Sequence, residues 1–122
     1  MTPDKLKDFL TDPKVNEVIK ESLERTMHGV YTIHRLVEMP ELSHVDPEIT
    51  NDMRQQAYHL FERASGLNML LHLIIENHVD DYTRDLFAHT YISTNRKEDD
   101  LKALTRTVLA TYAPKLKEQL ES

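Results

Sequence analysis

The chain contains no cysteine. That excludes disulfides, thiolate metal sites and cysteine nucleophiles together, and it suits a reducing compartment. Glycine is almost as scarce. Gly29 and Gly66 are the only two, too few for a phosphate cradle or a loop-rich fold. Neither a Gly-x-Ser-x-Gly elbow nor a P-loop is present. No basic stripe runs along any segment, so the electrostatic footprint of direct nucleic-acid binding is missing. The longest strongly apolar run, Met69 to Ile75, is broken by His72 and is far too short to span a membrane. Met1-Thr2-Pro3-Asp4-Lys5 leads into no apolar signal-peptide core, so the expectation is a cytoplasmic protein with no membrane association.

What remains is amphipathic. Hydrophobic residues make up 39% and charged residues 30%, which fits one soluble helical domain over residues 1–122 rather than a disordered chain. The strongest pattern is a heptad register. Met53, Leu60, Leu67 and Ile74 fall seven apart, and so do Ala57, Ala64, Leu71 and His78. Interleaved at steps of four and three, they form the seam of a helix packed lengthwise on others. The phase crosses Gly66 unchanged, which favours one continuous helix over 47–79, roughly 50 Å long at 1.5 Å per residue.

Helix starts are written in local chemistry. Thr2-Pro3-Asp4, Asp12-Pro13 and Asp46-Pro47 each place a capping oxygen before a proline, and Asp80 or Asp81 caps a later helix. The second helix has the seam Val15, Ile19, Leu23, Thr26, Val30, Ile33 and Val37, and Pro40 ends it. A helix to about Thr94 buries Tyr82, Leu86 and Phe87. Ser93 to Lys97 reads as a polar break, followed by a helix with Leu101, Leu104, Val108 and Leu109 inside. The expected fold is all-α: an up-and-down bundle of about four long helices with a short N-terminal helix.

Seven histidines invite a metal reading. The only Glu-x-x-His lies in the proline-bounded loop at Glu41–His44, and no His-x-x-x-His pair occurs, so the patterns of a di-metal bundle are absent. One cluster survives: Asp81, Asp85 and His89 share a helix face, and His78 precedes them across a corner. Capping by the aspartates and an ordinary i,i+4 pair explain the same residues. Glu21 and Glu24 resemble half of a magnesium box, but no matching Glu-x-x-Asp follows. The expectation is therefore no catalytic residue and no cofactor, with a metal protein or metal-dependent enzyme as the alternative.

Net charge is −6. An acidic helical protein without catalytic motifs points to a protein-binding module, such as a regulatory subunit, adaptor or small inhibitor, that docks a rigid face on a basic partner. The expected contacts are the acids Glu17, Glu21, Glu24, Glu98, Asp99 and Asp100 and the off-seam apolar residues Tyr31, Leu36 and Tyr58. A homodimer is expected too, because a long seam is easily completed by a second copy. A purely structural homo-oligomer is the third reading.

Overall fold

The computed structural model describes residues 2–76 and 79–121. Among them the fold is all-helical: α1 (Pro3–Phe9), α2 (Pro13–Leu36), a 3₁₀ turn (Pro40–Leu42), α3 (Pro47–Ile75), α4 (Asp81–Tyr112) and α5 (Pro114–Glu121). The anticipated caps are in place. Thr2 Oγ1 accepts from Lys5 N at 3.4 Å, Asp12 from Lys14 N at 2.9 Å, Asp46 from Glu48 N at 3.0 Å and Asp80 from Thr83 N at 2.8 Å. α2 stops short of Pro40 because the proline holds Met39 extended at φ −72° and ψ 144°. The chain before it tightens instead, with Glu38 N bonded to Arg35 O and Met39 N to Leu36 O.

α2, α3 and α4 run up, down and up. α3 packs against both neighbours, α4 reaches back to α2, and α1 lies on α4. The heptad residues Met53, Ala57, Leu60, Ala64, Leu67, Leu71 and Ile74 are all buried, and α3 passes through Gly66 unbroken. His78, the last expected member of that seam, lies outside the described residues. The seam is filled from within the chain, so its burial needs no second copy.

Three long helices replace the expected four. Ser93–Lys97 is not a break, and α4 is continuous over 32 residues. Two of its polar residues, Thr94 and Glu98, face inward and find partners. The Thr94 hydroxyl donates to Thr90 O at 2.7 Å, and Glu98 Oε1 accepts from Thr26 Oγ1 of α2 at 2.8 Å. Lys102 Nζ lies 3.2 Å from the other carboxylate oxygen. Gly29 faces this group: a Cβ there would meet Glu98 Oε2 at 3.7 Å, an ordinary van der Waals contact.

This polar level divides the interior. On one side Val30, Ile33, Met53, Leu60, Leu101 and Val108 pack with the 3₁₀ turn and α5. On the other, Leu6, Leu10, Leu23, Leu71 and Phe87 pack where α1 covers α4. Two carbonyl oxygens, Asn16 Oδ1 and Asn68 Oδ1, are buried without a hydrogen-bond partner among the described residues. Each costs about 1–3 kcal/mol, which the surrounding apolar packing must outweigh.

Four expected placements are corrected. Leu36 is 6% exposed and belongs to the core, because Leu42 and Val45 fold back over the end of α2. Glu98 is 8% exposed and bonded within the chain, so it is no surface contact. Tyr82 and Leu86 were expected inside and are open to solvent. α1 covers the opposite flank of α4 and leaves theirs bare.

Salt bridges tie the start of α4 to α1. Lys7 Nζ bonds Asp81 Oδ2 at 2.7 Å, and Arg84 lies 3.6 Å from Asp81. The Thr83 hydroxyl and amide hold the Asp80 carboxyl below its ordinary 3.8, Lys7 and Arg84 do the same for Asp81, and Asp81 lifts Lys7 above 10.5. The signs fix the pH response. The carboxylates contribute stability above the ordinary carboxylate value and lose it as pH falls through their lowered folded values. Lys7 contributes below 10.5 and loses its contribution as pH rises through its raised folded value. Thermal melts from about pH 6 down to 2 are expected to fall less steeply for Asp80→Asn/Asp81→Asn than for wild type. Superimposable acid limbs would show that this corner adds nothing.

Candidate functional site

An aromatic-walled surface groove lies between α2 and α3. α2 contributes Tyr31 and His34 and α3 contributes Tyr58 and Phe61, over a floor of Val30 and Ala57. Spacing explains the placement. Residues 31 and 34 sit one turn apart on the α3 flank of α2, and 58 and 61 do the same on the α2 flank of α3. The small Ala57 side chain lets the helices approach and leaves a shallow cavity of about 280 Å³. Tyr31, Tyr58 and Phe61 are 51%, 56% and 40% exposed, a cost in water that internal packing does not recover.

The rings are held by neighbours. Arg35 donates to the Tyr31 hydroxyl at 3.2 Å and lies 5.9 Å from its ring centroid, within cation–π range. Tyr58 meets His59 edge-on with centroids 5.9 Å apart. A hydrogen bond to Glu62 lifts the Tyr58 phenol above its ordinary value. The groove therefore has an apolar floor, aromatic walls and hydroxyl tips, a combination suited to contact with another protein.

The remaining expected contacts are scattered. Glu17, Glu21 and Glu24 are exposed on the outer side of α2, as expected. Asp99 and Asp100 are exposed on α4, and Asp100 lines a separate cleft of about 350 Å³ with Gln56, His59, Arg63 and Lys97. That cleft carries both signs of charge, so it makes neither an anion clamp nor an acidic face.

The location of the net charge matters more. Each helix balances its acids and bases to within one unit, and α2 holds Lys14, Lys20, Arg25 and Arg35 against its three glutamates. The net excess of six acids corresponds to the number lying outside the five helices: Asp12, Glu38, Glu41, Asp46, Glu76 and Asp80. Asp12, Asp46 and Asp80 are N-caps, where negative charge complements the helix dipole. The −6 is thus carried at the junctions rather than on a docking face.

The structure does not gather the alternative metal cluster. Asp81 is engaged by Lys7 and Arg84. His89 Nδ1 is 2.9 Å from the Asp85 carbonyl oxygen and 3.7 Å from its carboxylate, the geometry of a local i,i+4 pair. His78 lies outside the described residues. Among those described, no group of three or more His, Asp or Glu side chains is placed to share an ion. Among the described residues, threonine hydroxyls bond carboxylates at Thr26–Glu98, which is buried, and at Thr83–Asp80, which is a cap; neither presents a nucleophile to a cleft.

Phe61 escaped the sequence reading because it flanks the α3 seam. The i,i+3 pair Tyr58–Phe61 beside a core alanine was the available signal. No known protein family matches the chain, and no curated protein or solved structure is similar to it.

Proposed function

We propose that the chain is a non-catalytic protein-binding module, in the manner of a regulatory subunit, adaptor or small inhibitor, and that its docking face is the Tyr31–Tyr58–Phe61 groove. One observation carries this reading: three large aromatic rings stand about half open on neighbouring long helices, over an apolar floor. Aromatic side chains in a shallow pocket are what dominate binding energy at protein interfaces. The partner element that fits is an apolar ridge, a helix or loop with one or two large side chains to fill the cavity. Glu17, Glu21 and Glu24 lie on the outer side of α2, about two to four turns before Tyr31, and bias encounter toward a basic surface only as a secondary effect, because lysines and arginines share their helix.

The test uses protein purified with its partner from its own cellular setting. Replacing Tyr31 and Tyr58 together by alanine is expected to weaken retention tenfold or more, about 1.4 kcal/mol or greater. The melting temperature should fall only slightly, because about half of each ring is already in water. Reversing Glu17, Glu21 and Glu24 to lysine is expected to slow association and flatten its salt dependence, with a smaller loss of affinity. Undiminished retention of the partner by the double alanine variant would discard the groove as the docking face.

A further inference from the structure

A second surface is apolar where the fold gives it no reason to be. From Ala64 to Ile75 α3 contains no Asp, Glu, Lys or Arg. Leu67, Leu71 and Ile74 fill the core, yet the outward side of the same turns carries Met69 at 70% exposure and Leu73 at 47%. A helix that is apolar on both sides is normally covered on both sides. α4 extends the patch. Leu86 and Tyr82 share the flank of α4 that farther along carries Lys97 and Asp100, which close on α3, and they are 50% and 72% exposed. The antiparallel α3–α4 hairpin therefore sets Met69, Leu73, Tyr82 and Leu86 on one exposed face.

Gly66 is the second observation. It sits in the middle of a 29-residue helix, is exposed, and has nothing among the described residues within 4 Å of where a Cβ would lie. Glycine there costs about 1 kcal/mol against alanine, and no contact inside the chain calls for it. Gly66, Met69 and Leu73 follow at steps of three and four along the outer side, a short helix-packing ridge with a hole at one end and a knob at the other.

We propose that this ridge pairs with the same ridge of a second copy, α3 antiparallel to α3 about a two-fold axis level with Met69 and Leu70. That register lays Leu73 of each copy over Gly66 of the other and sets Met69 against Leu70. Knob and hole lie on one ridge seven residues apart, so a single two-fold axis satisfies both contacts reciprocally, as an isologous interface requires. The uncharged run lets two chains of net charge −6 meet with no like charges opposed along the contact. The exposed apolar area approaches what a specific contact needs. At roughly 150–250 Å² for a large side chain, four such residues half to two-thirds open in each copy supply on the order of 900 Å², near the ≈1,000 Å² at which specific interfaces begin. Backbone and polar atoms around them add the rest.

The proposal does not rest on the α2–α3 groove, which lies nearer the start of α3. The test is the solution mass of the full chain over a concentration series, read by light scattering. Wild type is expected at twice 14.3 kDa. Leu73→Glu is expected to return it to one chain, and so is Met69→Lys, a second variant at the more exposed position, with helicity unchanged for both. Because the chain has no cysteine, Gly66→Cys/Leu73→Cys reports the register directly: mild oxidation should give a covalent dimer. A wild-type monomer at every concentration would overturn the proposal and leave the ridge to a different protein. A dimer indifferent to both charged substitutions would overturn it as well.

Discussion

Phe87→Ala is expected to destabilise the protein by about 3–5 kcal/mol, the largest effect of any single change considered. Phe87 is fully buried and stacks on Tyr91 with ring planes 8° apart and centroids 6.0 Å apart. Tyr91 in turn donates to Ser22 Oγ of α2 at 2.8 Å. The ring thus stands where α4 meets the Leu6, Leu10, Leu23 and Leu71 cluster, and truncation leaves a cavity bounded by three helices. Domains of this size are stable by about 5–15 kcal/mol, so the loss leaves the variant partly unfolded at physiological temperature if wild type lies at the lower end. Urea unfolding reads the change as a shift in midpoint at constant slope. Phe87→Leu, which keeps most of the volume, is expected to cost far less. A loss under about 1 kcal/mol for alanine would mean that α1 and α4 do not form a packed core.

Thr26→Val is expected to cost about 1.5–3 kcal/mol, although the two side chains are close in shape. Valine removes the donor 2.8 Å from Glu98 Oε1 and strands one oxygen of a buried carboxylate. Lys102 remains on the other oxygen, but it is partly solvated and bonds at the rim. The double variant Thr26→Val/Glu98→Leu removes both partners and the stranded charge together. Exchanging a buried polar pair for apolar groups is commonly neutral or stabilising, so the double variant should recover most of the loss. The coupling in this cycle is the observable. Additive penalties would show that the two groups do not depend on each other.

Features written in local chemistry were legible in the sequence. An aspartate before a proline acts on its own neighbours, so the starts of α2 and α3 could be placed to the residue. The α3 seam was legible because its period is repeated in side-chain type, and Gly66 could not interrupt what the flanking leucines continued. The polar run near Ser93 was misread because polar side chains do not by themselves end a helix: the Thr94 hydroxyl bonds Thr90 O one turn back, and the adjoining Glu98 finds its partner far away in sequence. Thr26 is 72 residues from Glu98, and nothing adjacent announces that the carboxylate will be met. The available signal was an absence: residues 81–112 contain neither glycine nor proline, so nothing there ends a helix. Of the docking face, Tyr31 and Tyr58 stood out as apolar residues off their seams. Leu36 stood out for the same reason and proved to be core, because burial at a helix end depends on where the following turn folds. Spacing along one helix cannot distinguish those outcomes.

The buried level formed by Thr26, Thr94 and Glu98 also bears on how the molecule comes apart. It separates two apolar clusters that share long helices but no continuous oily interior. Loosening the end built on Phe87 and Leu71 leaves the packing around Leu101 and Met53 in place, so native-state amide exchange should resolve two sets of protection along α4. Sliding α4 by one turn against α2 would bring Glu98 level with leucine or valine rather than threonine. The level therefore acts as a latch on alignment, and each half of the bundle can breathe without the other losing its place.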